Sequence, residues 1–457
     1  MKKHFIVIIF ALGIISQLYA PSQQITVPGS YLYGEDVTYS PVATNDSIIQ
    51  ISTNNVTFDL GGRIFTQGNL IAGLNGIIVD PNLTNIIIRN GYIQNITGTG
   101  IGIGQGCSRI TIDNIVTFSC DLRGMNLGGA TGTPITDSEV KNCSLLSCCQ
   151  GATGDFGLRL FQCSRVKVTN CNINNNGLSS HALSSVRVNT CLQCDFQGVN
   201  VLSNIGTAVV GFDIVTSSTC LFGNCLVRNN TALGAGLTMT AFAINGTGNA
   251  FNVFNNCMSF ENAAPAANPS QCFSFDLSNN SFANLFIACK AIGNTAAAVN
   301  GFNLTGPTNV INNSFIDCIA QRNNATGASA GSAAAGFAIN NTADFGMILR
   351  CVSSFNTSTN DSAYGLLFQG GTGGSNWSIR ESEFVRNIGS GNATSFGINI
   401  IAGTTNMFSK NTAFNNGTTQ GNQMSGVPVS TVFNRNTTNL NNNGAGSGPW
   451  GNVDIIP

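Results

Sequence analysis

A short motif recurs thirteen times along this chain, at intervals of about thirty residues. In each copy a small residue is followed by an apolar residue, any residue and a second apolar residue. A period of about 20 to 50 residues is typical of solenoid proteins, in which each repeat packs mainly on its neighbours. The copies lie at 76–79, 100–103, 124–127, 157–160, 185–188, 211–214, 241–244, 274–277, 301–304, 336–339, 365–368, 397–400 and 426–429.

The motif predicts a β-strand, because apolar residues two positions apart lie on one face of a strand. About fifteen residues later a second apolar segment follows, and it often contains Asn and then Cys, as in Asn142-Cys143 and Asn170-Cys171. No helical pattern occurs within 76–440, so strands that recur without helices must pair from repeat to repeat, parallel and in register. The sequence therefore predicts an all-β solenoid, a parallel β-helix of about 12–13 coils. With rungs about 4.8 Å apart, thirteen coils make a rod of about 60 Å.

A further asparagine often lies five residues beyond the cysteine. Asparagine tolerates left-handed backbone conformations and bonds to neighbouring backbone, so we expect these residues at the corners of the coils. They are Asn176, Asn230, Asn262, Asn294, Asn323 and Asn356.

Three early segments, 54–62, 76–79 and 85–91, resemble the opening coils of right-handed parallel β-helix proteins of the pectin-lyase-like superfamily. The resemblance covers about residues 50–440 and implies a right-handed coil. It implies no particular activity, because that superfamily includes lyases, hydrolases, adhesins and surface proteins of other kinds.

The N-terminus has the features of a secretory signal peptide at 1–20. Lys2 and Lys3 supply positive charge, 5–15 is apolar, and 18–20 offers a small-residue cleavage site. This predicts a secreted, extracellular or cell-envelope protein, and no later stretch is long and apolar enough to span a membrane. We expect an N-terminal cap at 21–50, the β-helix at 51–440 and a C-terminal cap or tail at 441–457.

Charge is sparse, with 9% charged residues and a formal net charge of -1. No basic tract or acidic tail occurs, so binding of nucleic acid or of another polyanion through bulk charge is not expected. No cofactor is predicted, except that a lyase would need calcium to neutralise an acidic substrate.

Half of the sixteen cysteines occupy one position in successive coils, and Cys194 fits it less cleanly than the other seven assigned here. Their neighbours predict that they point inward as small buried apolar side chains. Disulfides between rungs are the alternative, but Cβ atoms one rung apart are farther separated than a disulfide prefers. Adjacent Cys148-Cys149 and the lone Cys191-x-x-Cys194 do not predict a metal site. The eight assigned cysteines are Cys143, Cys171, Cys194, Cys225, Cys257, Cys289, Cys318 and Cys351.

Candidate catalytic residues come from the middle positions of the motif, which should point outward and stack from coil to coil. The charged ones are Arg159, Arg187, Asp213 and Asp276. Two acids could serve inverting glycoside hydrolysis, and an arginine with an acid could serve uronate β-elimination. The alternative is an exposed cross-strand charge pair without function.

Other catalytic patterns are missing. His181 has no nucleophile sequence nearby and is expected to be a lone surface histidine. The chain also lacks the Asp-Asp pair and Gly-His-Gly segment of pectin hydrolases, and the Arg-x-Pro-x-x-Arg segment of pectate lyases.

Three functions follow from these observations. The first is a non-catalytic β-helix for binding or adhesion, with a polysaccharide or a cell-surface component as partner. The second is a polysaccharide lyase or glycoside hydrolase acting on the outer face. The third is a structural spike or coat component, in which rods associate side by side. The sequence does not fix the oligomeric state.

Overall fold

The computed structural model describes most of the chain between residues 23 and 438. The described ranges are 23–40, 46–69, 71–151, 156–267, 270–305, 310–327, 333–340, 343–369, 375–389, 395–400, 406–414, 416, 424–425, 432–434 and 437–438. The predicted signal peptide at 1–20, the motif copy at 426–429 and the predicted segment 441–457 lie outside these residues. Within the described residues every regular element is a β-strand, and no helix has the length and apolarity that a membrane span requires.

Twelve copies of the motif form twelve successive strands of one parallel sheet, which we call the front sheet. Each strand pairs in register with the strand one repeat later, so equivalent residues stack directly. The strands of the front sheet are Gln23–Ile25, Ser47–Ile51, Asn75–Val79, Thr99–Ile103, Arg123–Gly128, Phe156–Phe161, Leu183–Asn189, Val209–Val215, Thr238–Asn245, Gln271–Leu277, Ala298–Leu304, Ala334–Asn340, Ala363–Gln369, Phe396–Ile400 and Met424–Ser425.

Two further faces complete each coil, and their strands also pair only in parallel. Two long strands, Thr84–Ile96 and Ser108–Cys120, run through both faces. The other strands of the second face are Gly29–Leu32, Val56–Asp59, Glu139–Lys141, Lys167–Thr169, Asp195–Gln197, Leu221–Gly223, Val253–Asn255, Leu285–Ile287, Ser314–Ile316, Met347–Leu349, Ser378–Arg380, Met407–Ser409 and Val432–Asn434. The other strands of the third face are Val37–Tyr39, Ile64–Gln67, Ser144–Leu146, Asn172–Asn174, Asn200–Leu202, Leu226–Arg228, Met258–Phe260, Lys290–Ile292, Ile319–Gln321, Val352–Ser354, Glu383–Val385, Thr412–Phe414 and Thr437–Thr438.

Short strands of two residues connect the faces. They are Ile135–Thr136, Cys163–Ser164, Ile205–Gly206, Thr231–Ala232, Thr295–Ala296, Val310–Ile311, Asn324–Ala325, Ala343–Asp344, Thr357–Ser358 and Ile388–Gly389. The predicted all-β parallel β-helix of about thirteen turns is therefore confirmed. Parallel pairing starts at Gln23–Ile25, which pairs with Ser47–Ile51, so it extends into the segment predicted as the N-terminal cap.

The small residue that opens each motif copy faces the interior at close quarters. A Cβ atom on Gly211 would lie 2.5 Å from the carbonyl oxygen of Ala241 on the next rung and 2.7 Å from Val227 on the third face. At Gly336 the same atom would meet the Ser353 hydroxyl oxygen at 1.9 Å. The motif therefore begins with a small residue because the front sheet and the third face approach each other there.

Two stacks of phenylalanine rings fill the middle of the rod. Neighbouring rings within a stack lie nearly parallel, with centroids 4.7 to 5.1 Å apart, and rings of the two stacks meet edge to face. Parallel stacking follows from in-register pairing, because one rung spacing is about 4.8 Å. One stack contains Phe196, Phe222, Phe254, Phe286 and Phe315, and the other contains Phe212, Phe242, Phe275, Phe302 and Phe337.

A ladder of nine asparagines runs through the interior beside the third face. In each step one amide nitrogen donates to the next amide oxygen, as from Asn230 Nδ2 to Asn262 Oδ1 at 3.0 Å. The same oxygen accepts the backbone N–H of Asn230 at 3.0 Å, and Asn230 Nδ2 also donates to the carbonyl of Val201 at 3.1 Å. The ladder comprises Asn176, Asn204, Asn230, Asn262, Asn294, Asn323, Asn356, Asn387 and Asn416.

The six predicted corner asparagines do lie at corners and bond to backbone, as part of this ladder. The left-handed conformation falls on the residue before each of those six, for example Asn229 at 55° and Glu261 at 52°. The ladder asparagines are buried because their side chains must reach backbone groups inside the coil. A second set of corners, between the second and third faces, holds the residue that precedes the cysteine. Its members with φ of 51° to 55° are Asn142, Asn170, Asn224, Asn256, Ala288, Asp317 and Arg350.

All sixteen cysteines are buried. Seven of the eight cysteines predicted to share one position precede equivalent strands of the third face. Cys194 does not, because it precedes the second-face strand Asp195–Gln197, and Val199 takes the equivalent place in its coil. The assignment of Cys194 is therefore wrong, whereas the redox state of the cysteines stays a prediction.

We predict that Asn262→Ala destabilises the protein by about 2–4 kcal/mol. The change leaves the backbone N–H of Asn230 without its buried acceptor, which costs about 1–3 kcal/mol, and it also removes one of the acceptors of the Asn230 side-chain amide. Urea denaturation followed by circular dichroism measures the effect. Asn255→Ala is the matched control, because Asn255 is exposed on the second face, and it should change stability by less than about 0.5 kcal/mol. Equal midpoints for the two variants would contradict the ladder's stabilising role.

We predict that all sixteen cysteines alkylate when the protein is unfolded without reductant. The native protein should react slowly at neutral pH, because burial raises thiol pKa values, that of Cys272 to about 12. Intact-mass spectrometry after alkylation counts the thiols. Four disulfides among the eight cysteines predicted to share one position would refute the prediction of reduced thiols.

Candidate functional site

Three columns of side chains point outward from the front sheet. The middle column continues the central position of the motif, and its register runs Asn126, Arg159, Arg187, Asp213, Ala243, Asp276, Asn303, Ala338, Leu367 and Asn399. A first column lies three positions earlier in the chain and a third column two positions later. All four candidates from the sequence, Arg159, Arg187, Asp213 and Asp276, stand in the middle column.

Arg187 and Asp213 form an ion pair on adjacent rungs, with Nη1 and Oδ2 3.3 Å apart. Asp213 also accepts hydrogen bonds from the Ser184 hydroxyl at 3.3 Å and from Asn245 Nδ2 at 3.3 Å. Burial raises the pKa of the Asp213 carboxyl, and Arg187 offsets part of that rise. The side chain of Asp213 is 10% exposed and that of Arg187 is 30% exposed, so the arginine is the member that solvent reaches.

Asp276 lies two rungs beyond Asp213, with the small side chain of Ala243 between them. Its carboxylate accepts a hydrogen bond from Asn303 Nδ2 at 2.7 Å. Burial raises its pKa from 3.8 to about 6, despite the hydrogen bonds from Asn303 and Thr305. The fold thus separates the two acids by about 10 Å of rung spacing and gives each its own polar partners.

A cluster of aromatic and cationic side chains surrounds Phe156. The sequence motif did not predict it. The guanidinium carbons of Arg123, Arg159 and Arg187 lie 5.7, 5.7 and 5.1 Å from the centre of its ring. Arg159 also stacks at 4.6 Å on Phe161, in the third column. Cations over aromatic faces are attracted by the ring quadrupole. We call Arg123, Phe156, Arg159, Phe161 and Arg187 the arginine cluster.

A sequence signal for this cluster exists but lies outside the motif. Arg123 and Phe156 are three residues before the middle positions Asn126 and Arg159, so they follow each other in the first column. Extending the register to that column brings the arginines of three successive coils around one ring.

The first column carries further aromatic residues, and the third column is rich in amides. In the first column Phe273 lies four rungs beyond Phe156, and Tyr364 lies three rungs beyond Phe273. Tyr364 stacks on Phe396 of the next rung with centroids 6.2 Å apart. The third column includes Asn189, Asn245, Asn340 and Gln369.

In the three columns of the front sheet, two amide oxygens are buried without a hydrogen-bond partner among the described residues. They are Oδ1 of Asn126, one rung before Arg159, and Oδ1 of Asn340 in the third column. Buried polar atoms normally have partners, so these two oxygens depart from the usual pattern.

The other side chains that could serve in catalysis or metal binding do not lie together. The Ser180 hydroxyl and His181 Nδ1 lie 2.8 Å apart, at a partly exposed position away from the acids. In the described part of the chain, no three His, Cys, Asp or Glu side chains are grouped as a metal site requires. The prediction that no cofactor is needed stays a prediction.

The strand pairing defines a parallel β-helix protein, and comparison with known proteins gives distant similarities. No family model matches the chain, and no curated protein matches it. Among solved structures it is similar to the A-module of mannuronan C-5 epimerase AlgE4 from Azotobacter vinelandii, with 11% identity, a TM-score of 0.37, and coverage of 91% of this chain and 88% of that chain.

Two other similar structures have different roles. One is PfbA, a surface adhesin of Streptococcus pneumoniae, at 11% identity and a TM-score of 0.27, covering 78% of this chain and 83% of that chain. The other is tailspike protein 3 of bacteriophage CBA120, at 10% identity and a TM-score of 0.28, covering 93% of this chain and 56% of that chain. All three TM-scores are below 0.5, so the fold is read from the strand pairing of the chain itself.

We predict that Asp276 makes the protein less stable as pH rises through about 6. Its folded-state pKa of about 6 exceeds the ordinary 3.8, so the folded state binds the proton more tightly. That stability is fully present below about pH 4 and is lost as the pH passes the folded pKa. Asp276→Asn should remove this part of the pH dependence, measured as urea midpoints from pH 4 to 8. Asp195→Asn on the second face is the control, and unchanged curves for Asp276→Asn would contradict the prediction.

Proposed function

We propose that this protein is a non-catalytic binding protein that holds an acidic saccharide against the front sheet. The arginine cluster carries the proposal, because three guanidinium groups converge on one outward-facing ring. Guanidinium groups bind carboxylates and sulfates through paired hydrogen bonds. Stacking on Phe156 and Phe161 orients these groups before a ligand arrives, which reduces the entropy lost on binding.

The geometry of the acids supports binding rather than turnover. Asp213 is held by Arg187, Ser184 and Asn245, and Asp276 is held by Asn303 two rungs away. The two acids stand two rungs apart in the middle column, with Ala243 on the rung between them. A secreted or cell-surface location, inferred from the N-terminal segment 1–20, agrees with capture of an extracellular polysaccharide.

One observation favours a second candidate, glycoside hydrolysis. A carboxyl with a pKa of about 6, such as that of Asp276, is suited to general acid catalysis. In that mechanism Asp276 would protonate the leaving group and Asp213 would activate water. Asp213 would first have to leave its ion pair with Arg187, so we rank this candidate second.

The test is a binding panel with the chain from residue 21 onward. Polygalacturonate, chondroitin sulfate and neutral dextran are titrated by calorimetry, while reducing ends and unsaturated uronate absorbance are followed in parallel. We expect saturable binding of an acidic polymer, weaker binding at high salt, and no turnover. Arg187→Ala should weaken binding about tenfold or more, since hydrogen bonds to charged groups are worth about 1.5–3 kcal/mol.

Arg228→Ala is the matched control. Arg228 also stacks on a phenylalanine, Phe260 at 4.9 Å, and pairs with Glu261 at 3.1 Å, but it lies on the third face. Equal loss of binding in both variants would refute a site on the front sheet. Turnover that disappears in Asp213→Asn would refute the non-catalytic proposal in favour of the second candidate.

A further inference from the structure

We infer that two copies of this protein associate through the apolar half of the second face, with their rods antiparallel. The inference is independent of the proposed function, because no residue of the front sheet takes part in it. It starts from a change in the outward side chains of the second face, which occurs partway along the rod.

The outward side chains of the second face change from charged to apolar after Asp195. In the earlier coils they include Arg89, Asp113, Glu139, Lys141, Lys167 and Asp195. The strands from Leu221–Gly223 to Met347–Leu349 present no charged residue at these positions and instead present Leu221, Val253, Leu285, Ile287, Met347 and Leu349. The parallel pairing is the same in both halves, so the fold does not require the change. A contiguous exposed apolar surface of this kind is typical of an interaction site.

Phenylalanines extend this surface onto the corner between the front sheet and the second face. Phe251 is 58% exposed and Phe345 is 57% exposed, and each stands two residues before a strand of the second face, with a φ of 56°. Phe282, on the coil after Phe251, packs edge to face against it with ring centroids 5.6 Å apart. We call these three rings and the six apolar residues from Leu221 to Leu349 the apolar patch.

The two ends of the apolar patch carry opposite charges. Asp195 lies one coil before Leu221 and in the same column, whereas Arg380 lies one coil after Leu349 and in the neighbouring column. Arg380 Nε donates to the Ser378 hydroxyl at 2.8 Å, which brings the guanidinium toward the column of Asp195. The coil of Leu285 is the midpoint, because it lies three coils from each of these charges.

This surface is complementary to itself when the two rods are antiparallel. A twofold axis that runs along the strands through the coil of Leu285 places Asp195 opposite Ser378 of the second copy and within reach of its Arg380, at both ends of the interface. The same register brings Phe251 within about one rung of Phe345 of the second copy. With parallel rods in register, Asp195 would face Gln197 and would gain no opposite charge.

The area of this surface suits a reversible dimer. From the coil of Asp195 to the coil of Arg380 the face is about 29 Å long, and from the corner phenylalanines to the end of the strands it is about 17 Å wide. These dimensions give about 500 Å² of flat surface on each copy, near the roughly 600 Å² per partner that weak and transient interfaces bury. We therefore expect association that depends on concentration in the micromolar range.

The charges around the apolar patch favour a second copy over a membrane as its partner. A face that binds a membrane is typically flanked by lysine and arginine. This patch has an aspartate at one end and an arginine at the other, and Arg350 at its side is neutralised by Asp317 at 2.7 Å. Balanced charges of this kind match those of an antiparallel copy.

The test is sedimentation equilibrium of the chain from residue 21 onward, over a wide range of micromolar concentrations. We expect an equilibrium between monomer and dimer. Leu285→Asp should weaken the dimer about tenfold or more, because the twofold axis brings the two introduced carboxylates together. Ile87→Asp is the matched control, since Ile87 is a half-buried apolar residue in the same column but lies outside the apolar patch. It should leave the dimer unchanged.

A charge exchange tests the antiparallel register. Asp195→Arg alone should weaken the dimer about threefold or more, because it places like charges opposite each other. Combining it with Arg380→Asp should restore association, since the exchanged charges are again complementary. Thermal unfolding curves of every variant establish that a loss of association does not come from misfolding.

Three results would overturn the inference. The first is a monomer at every concentration, including one that instead binds phosphatidylcholine vesicles through Leu285, which would assign the apolar patch to a membrane. The second is a dimer that Leu285→Asp leaves intact, which would place the interface elsewhere. The third is a failure of the exchanged charges to restore association, which would exclude the antiparallel register.

Discussion

In-register parallel hydrogen bonding between coils is the constraint on which the rest of this structure depends. Once each strand pairs with its counterpart one repeat later, every side chain stands about 4.8 Å from an equivalent one. A residue is then compatible with the fold only if it can neighbour a residue at the same position. Phenylalanine stacks, asparagine ladders and columns of small residues satisfy that condition in the interior. On the outer surface the same condition places equivalent side chains of successive coils in columns along the rod.

The two interior devices contribute in different ways. The phenylalanine stacks bury large apolar surfaces and tolerate small shifts, because dispersion contacts have little directionality. The asparagine ladder is directional, since each amide oxygen accepts both a side-chain and a backbone N–H from the preceding rung. Asn262 therefore fixes the position of Asn230 more strictly than any single ring fixes its neighbour. The ladder thereby specifies the register that the rings alone would leave loosely defined.

The sequence predicted the architecture because the repeat period and the apolar alternation are physical requirements of each coil. It also predicted that Arg187 and Asp213 lie on adjacent rungs, because both occupy the same motif position. It missed Arg123 and Phe156, since the motif did not extend to the first column. It misplaced Cys194, because coil lengths vary and only the strand register shows which corner a cysteine precedes. The sequence did not predict that Asn262 is buried in the interior. Its side chain bonds to groups of two other coils, and local sequence propensities do not describe contacts between coils.

The direction of the asparagine ladder gives the ladder itself two electrically different ends. From Asn176 to Asn387 each amide nitrogen donates to the amide oxygen of the next coil. These aligned amide dipoles add, whereas the backbone dipoles of a sheet largely cancel. The ladder therefore carries partial negative charge at Asn176 and partial positive charge at Asn416, like the termini of a helix but with side chains as the carriers. The negative pole lies inside the rod, because six strands of the front sheet precede Asn176.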